Sequence, residues 1–163
     1  MTFQIVGDNA EVVREQFDKL LKSDIFELST SGSSGIPKVI PYLTKDLLDW
    51  PKPGKPKVML FFMRLDHIGG VNTAFHAYRS GSTLVTVKDR QPSTVLAAIE
   101  KYKVQILPTT PTFLNLLLVD GSFATVNHSS LELITCGTEP MPEETLRAAV
   151  KVVPNERFKQ TYG

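Results

Sequence analysis

Apolar residues recur along the chain with two distinct periods. Between residues 9 and 22, Val12, Val13, Phe17, Leu20 and Leu21 share one stripe with charged residues opposite, which predicts an amphipathic helix. Ile25 to Leu28 is short and apolar and is followed at once by serine and glycine, so it reads as a strand entering a loop. Residues 58 to 63 (VMLFFM) are six consecutive apolar residues between a Pro/Lys stretch and Arg64. A run that short and that continuous predicts a strand buried on both faces. The alternation then repeats, with helices predicted over 69–79, 92–102, 111–119 and 142–150 and strands over 83–87, 104–107, 131–135 and 157–160. Ser93 and Thr94 mark the start of the second of these helices. Pro142 near the first position, with Glu143 and Glu144 in the first turn, marks the last.

Strands alternating with helices of about ten residues imply βαβ units, hence an α/β fold with a mainly parallel sheet and helices on its faces. There is no internal repeat or low-complexity tract, and only residues 51–57 (PKPGKPK) read as a linker or exposed loop. At 163 residues and 18.1 kDa the chain suits one domain. Its 42% hydrophobic and 21% charged residues are globular averages, which argues against disorder. Eighteen basic against seventeen acidic residues give a net charge of +1, so no nucleic-acid partner is expected. A single cysteine, Cys136, excludes an internal disulfide and a multi-cysteine metal site, and it reads as a small buried residue. His76, on a predicted helix, and His128, in a polar loop, lack metal-ligand company, so no metal site is assigned. No apolar run approaches the ~20 residues of a membrane span, and Met1 to Gln4 carry neither the basic start nor the apolar stretch of a signal peptide. A cytoplasmic domain is the expectation.

The stretch Ser29-Thr30-Ser31-Gly32-Ser33-Ser34-Gly35-Ile36-Pro37-Lys38 carries the chemistry. Glycines let backbone N–H groups converge, and the hydroxyls of Thr30, Ser31, Ser33 and Ser34 add donors. Convergent neutral donors closed by one ammonium suit a polyphosphate, each charge-assisted bond contributing about 1.5 to 3 kcal/mol. The Walker A spacing is absent, and no glycine pair brackets a serine as a nucleophile elbow requires. An ordinary solvated Ser/Gly loop is the alternative, and the strand before and Pro37-Lys38 after weigh against it. In parallel sheets ligands bind at the carboxyl ends of strands, and the loop after Leu28 and the turn Gly137-Thr138-Glu139 after an apolar strand both take that position.

TSGSSGIPK resembles the phosphate-loop signature T-S-G-[ST]-[ST]-G-x-P-K of the adenylate-forming (AMP-binding) enzymes, which include acyl- and aryl-CoA synthetases, luciferases and peptide-synthetase adenylation domains. Three further segments follow in that family's order. Leu65-Asp66-His67-Ile68-Gly69-Gly70 is similar to the segment whose aromatic or histidine side chain lines the acyl pocket. Ile134 to Met141 (ITCGTEPM) is similar to the strand and loop bordering adenine and the acyl group, and Gln160-Thr161-Tyr162-Gly163 resembles the start of the Q-x-Y-G-x-T-E motif. The resemblance covers residues 29 to 163. It implies an activity in which a carboxylate attacks the α-phosphate of ATP, with Mg2+ bridging phosphate oxygens and coenzyme A accepting the acyl group. The family's magnesium glutamate, ribose aspartate, hinge and catalytic lysine lie beyond Gly163 in its pattern, so residues 1–163 are expected to be part of an N-terminal domain without the C-terminal one. The stretch 44–57 is also shorter than the family pattern, as if a segment were missing near 51–57.

On this resemblance Lys38 would pair with the β- and γ-phosphates. His67 would border the reacting carboxylate; standing beside Gly69-Gly70, it reads equally as a helix cap or core residue. Asp66-His67 suggests acid–base work only weakly, because no serine nucleophile accompanies it. Thr30, Ser31, Gly32, Ser33, Ser34, Gly35, Gly137, Thr138, Glu139, Tyr162 and Gly163 complete the expected nucleotide contacts, with Tyr162 stacking on adenine or merely packing. Phe113, Leu114, Leu117 and Leu118 read as helix core before acyl-tunnel lining. Two functions follow. One is adenylation of a small carboxylic or fatty acid, followed by thioester formation. The other is a non-catalytic nucleotide- or acyl-binding module. An exposed sheet edge would favour self-association.

Overall fold

The computed structural model describes residues 2–30, 38–49, 54–119, 121–154 and 157–161. The expected parallel sheet is present, with six strands: β1 (Gln4–Gly7), β4 (Val58–Phe61), β5 (Thr83–Thr86), β6 (Ile106–Thr109), β7 (Leu133–Cys136) and β8 (Phe158–Gln160). Their order is β1-β5-β4-β6-β7-β8, and every pairing is parallel. Helices α3 (Ile68–Ser80), α4 (Pro92–Tyr102), α5 (Pro111–Val119) and α6 (Glu143–Ala149) connect the strands from β4 onward. The predicted bounds of α4 and α5 coincide with the observed ones.

Two elements lie off the sheet. β2 (Ile25–Thr30) pairs antiparallel with β3 (Lys38–Leu43) in a separate ribbon, and α2 (Thr44–Leu48) follows it. The serine-rich loop therefore leaves a ribbon strand, not the carboxyl end of a parallel strand, which corrects the position inferred from the sequence. The ribbon forms because the chain reverses after Thr30 and returns in register, Thr30 opposite Lys38 and Ile25 opposite Leu43. Neither β1 nor β3 has a clear sequence signal: β1 is four residues long, and β3 contains Pro41. β6 and β7 each begin two residues later than the apolar runs suggest. Val104 and Leu131 are fully buried, yet they lie in the turns that lead in, where Val104 N donates to Ile99 O at 3.1 Å and Leu131 N to His128 O at 3.0 Å.

β4 explains the layering. Leu60 points to one side, where it joins Val85, Leu107 and Ile134 beneath α4, α5 and α6. Met59 and Phe61 point to the other, with Ile5 and Leu84 beneath α1 (Ala10–Lys22), α3 and the ribbon. The β1-to-β4 and β4-to-β5 connections cross the same face in opposite directions, so they differ in hand. The ribbon-bearing connection is the one that departs from the hand shared by the later crossovers.

Of the α1 stripe, Val13 and Phe17 are buried, whereas Val12 is 56% exposed. Phe17 meets Phe75 and Tyr78 of α3, at ring separations of 5.2 and 5.7 Å. Phe17→Ala is expected to cost about 3 to 5 kcal/mol in chemical denaturation, and Val12→Ala about 0.5 kcal/mol or less. Equal losses would mean that α1 docks by a different face.

Candidate functional site

The chain places β5 on one side of β4 and then crosses to β6 on the other, so the direction of growth reverses between β4 and β6. Such a switch point leaves a crevice at the carboxyl ends of its strands, where ligands of open α/β sheets bind. The segments that emerge there are Phe62 to His67 after β4, Thr109-Thr110 at the end of β6, Gly137 to Glu139 after β7, and Thr161 after β8. From β4 to β8 this edge spans about 15 Å, three strand spacings. His67 and the Gly137 turn, far apart in sequence, are brought to it together.

Each segment is held by specific backbone chemistry. Gly137 N donates to Thr109 O at 3.2 Å, and Thr161 N donates to Cys136 O at 2.7 Å. A Cβ on Gly137 would stand 2.6 Å from Thr161 Oγ1, so this position admits only glycine without a shift. Next to it Thr138 has φ +66°, the left-handed region that a β-branched residue rarely adopts. Strain of this kind concentrates at ligand sites.

Glu139 turns away from the crevice mouth toward α5. Its Oε2 accepts the Thr112 backbone N–H at 3.1 Å and also the Thr112 hydroxyl, while Thr110 Oγ1 accepts from Phe113 N at 3.2 Å. The N-terminus of α5 is thus satisfied by the protein's own groups, with a carboxylate favoured at the positive end of the helix. Thr110 and Thr161 were not read as site residues from sequence. Thr110 before Pro111 is the pairing of an N-cap with a first-turn proline, a signal that could have marked it.

His67 caps α3: its Nδ1 accepts the Gly69 N–H at 3.2 Å. When the ring is neutral its proton therefore sits on Nε2, a donor not used by the cap. Gly70 is forced by close packing, because a Cβ there would lie 1.9 Å from Arg64 O. Asp66 pairs with Arg64 rather than with His67, through a two-pronged bond that lowers its pKa, so the structure provides no Asp–His dyad. Cys136 is 1% exposed, and burial pushes its thiol up to about 11.

The opposite faces of β7 and β8 differ in cover. Ile134 and Cys136 pack under α5 and α6, but on the other side Leu133 and Thr135 are half-buried and Lys159 is exposed, outside both cores. This open half-face adjoins the crevice. Ser31, Gly32, Ser33, Ser34, Gly35, Tyr162 and Gly163 lie outside the described residues. Thr30 and Lys38, which bracket the loop, are opposed across the ribbon. Among the described residues no three His, Cys, Asp or Glu side chains converge as a metal cage, and no helix is long and apolar enough to cross a membrane.

Residues 25–163 match the family described as AMP-binding enzyme. The chain belongs to that family. Among curated relatives it is 30% identical over 112 residues to 4-coumarate–CoA ligase-like 5 of Oryza sativa, covering 69% of this chain and 21% of the relative. It is 28% identical over 167 residues to the D-alanine–D-alanyl carrier protein ligase of Bacillus velezensis, covering 96% and 33%. The chain thus spans a fifth to a third of the curated relatives it matches. A solved anthranilate CoA ligase bound to anthranoyl-AMP superposes with a TM-score of 0.73 at 23% identity, over 84% of this chain and 28% of that one. An amide bond synthetase from Marinactinospora thermotolerans superposes at 0.71 and 24% identity, over 84% and 28%. These likenesses establish the fold as that of the N-terminal domain of adenylate-forming enzymes.

The strain at Thr138 is open to measurement. Thr138→Gly removes a left-handed penalty of about 1 to 2 kcal/mol against a glycine entropy cost of about 0.5 to 1 kcal/mol, so chemical denaturation is expected to show a small net gain in stability. A loss would mean that the hydroxyl or methyl of Thr138 contributes more than the strain costs. The thiol of Cys136 is expected to resist an aromatic disulfide reagent at pH 8 in the native state and to react at once in denaturant. Rapid native labelling would contradict its burial.

Proposed function

We propose that this chain carries the carboxylate-activation site of an ATP-dependent acid ligase. In that reaction a small carboxylic or fatty acid attacks the α-phosphorus of ATP, the bond to the bridging oxygen breaks, and pyrophosphate leaves with an acyl-adenylate formed. Transfer of the acyl group to the thiol of coenzyme A follows, with release of AMP. The observation that supports the reading is that the segments bearing His67, strained Thr138 and the glycine-restricted Gly137–Thr161 contact all leave the carboxyl edge from β4 to β8, beside an open half-face able to take an acyl group. Belonging to the AMP-binding family supports the reaction class, and a cytoplasmic setting fits the use of ATP.

Catalysis of this kind is chiefly alignment and charge stabilisation. The loop from Thr30 through Ser31, Gly32, Ser33, Ser34 and Gly35 to Lys38 would take the β- and γ-phosphates, its ends set opposite each other by the ribbon. Nε2–H of His67 would hold one oxygen of the attacking carboxylate. Gly137 and Thr138 would border the acyl group and adenine, with Tyr162 against the adenine face. Glu139 acts through position: it fixes the turn by binding the α5 terminus. Magnesium would neutralise the polyphosphate when bound, but the described residues offer no cage for it. A second reading is a module that binds nucleotide or acid without turnover.

Titration calorimetry tests the assignment. Lys38→Ala is expected to weaken ATP at least tenfold, well beyond any effect on stability, and equal affinity in the two proteins would remove the phosphate-loop role. Exchange of labelled pyrophosphate into ATP with a panel of carboxylic acids separates the two readings, since exchange occurs only with adenylation.

A further inference from the structure

A second cleft borders the crevice just described and shares with it the segment that follows β4. It has a volume of about 590 Å³, within the range of small-molecule sites. It opens at the carboxyl ends of β1, β5 and β4, with α1 from Val12 to Leu20 as its far wall. Its floor is apolar, formed by Val13, Leu20, Phe61, Met63, Leu65 and Val87.

The rim is cationic. Lys19 comes from α1, Arg64 from the segment after β4, and Lys88 and Arg90 from the segment after β5. Two carboxylates share the lining, and both are engaged: Asp66 by Arg64, and Asp89, whose Oδ1 accepts Gln91 N at 3.0 Å. Arg90 uses its Nε on Phe62 O at 3.1 Å, which ties this rim residue to the segment after β4. Among the described residues no carboxylate pairs with Lys19, Lys88 or Arg90. A second observation is independent of charge. Asn9, which also lines the cleft, makes no cap bond at the start of α1, and its Oδ1 is buried without a hydrogen-bond partner among the described residues. A buried acceptor of that kind calls for a donor.

We propose that this cleft is a second ligand site, for a small amphipathic anion. The apolar body of the ligand lies on the Phe61–Met63–Val87 floor, and its carboxylate or phosphate ester sits among Lys19, Lys88 and Arg90. Apolar floor and cationic rim each select half of such a molecule, and the carboxyl ends of parallel strands are where open α/β sheets place ligands. The site shares no residue with the Gly137–Thr161 edge, so it stands or falls apart from the adenylation reading.

Calorimetric titration of the chain with octanoate, octanol and acetate tests it. Octanoate is expected to bind one per chain, with octanol and acetate at least tenfold weaker because each lacks one half of the chemistry. Lys19 and Lys88 are exposed, and the Lys19→Gln/Lys88→Gln double variant is expected to keep its melting temperature and lose at least tenfold in octanoate affinity. Added salt is expected to weaken binding to the parent chain in the same sense. Gly137→Val, which obstructs the other site, is expected to leave octanoate affinity unchanged. Absence of octanoate binding, or binding indifferent to the two lysines, would overturn the proposal. So would affinity lost in Gly137→Val and kept in the lysine variant, which would put octanoate at the β7–β8 edge instead.

Discussion

A strand that is apolar on both faces must be roofed on both sides, and β4 imposes that requirement on the whole chain. Met59 and Phe61 face one layer and Leu60 the other, all nearly or fully inaccessible to water. Burying side chains of this size contributes roughly 1.5 to 3 kcal/mol each. The connections must therefore divide between the two faces, with α1, α3 and the ribbon on one and α4 to α6 on the other. The strand order then sets the switch point, where the candidate site lies.

Around that point the chain uses its own groups to settle most of its exposed backbone polarity. The α3 terminus is capped by His67, and that of α5 by Thr110 and Glu139. Backbone donors at both helix ends are thus met by neighbouring side chains. The same capping gives His67 a defined tautomer and Glu139 a positioning role. What remains uncommitted at the edge is small in extent: a glycine that cannot be replaced without a clash, a threonine held in a strained conformation, and an uncovered half-face of β7 and β8.

The two clefts adjoin along one carboxyl edge, at the segment after β4, and differ in kind. The β4–β8 crevice is bordered by hydroxyls, a glycine turn and one imidazole, with the carboxylates of Asp66 and Glu139 engaged by Arg64 and Thr112. The β1–β5–β4 cleft joins an apolar floor to unpaired cations. The two environments have different electrostatic demands, and occupancy of one does not require the other.

The amino-acid sequence by itself determined the α/β class, the bounds of α4 and α5, the double burial of β4 and the four motifs that mark the family, because periodicity and turn chemistry are local properties. It also pointed to the burial of Cys136, as a small apolar residue. Only the tertiary structure decided that β2 leaves the sheet to pair with β3, that β1 adds to the edge beside β5, and that Asp66 engages Arg64 while Glu139 engages Thr112. Strand partners and side-chain partners are chosen among segments distant in sequence, by which surfaces remain to be covered and which polar groups remain to be satisfied. The position of His67 shows the boundary most clearly. Its proximity to Gly69-Gly70 left capping and ligand contact equally open in sequence, and the fold settled the cap through Nδ1, leaving Nε2 as the atom not used by it.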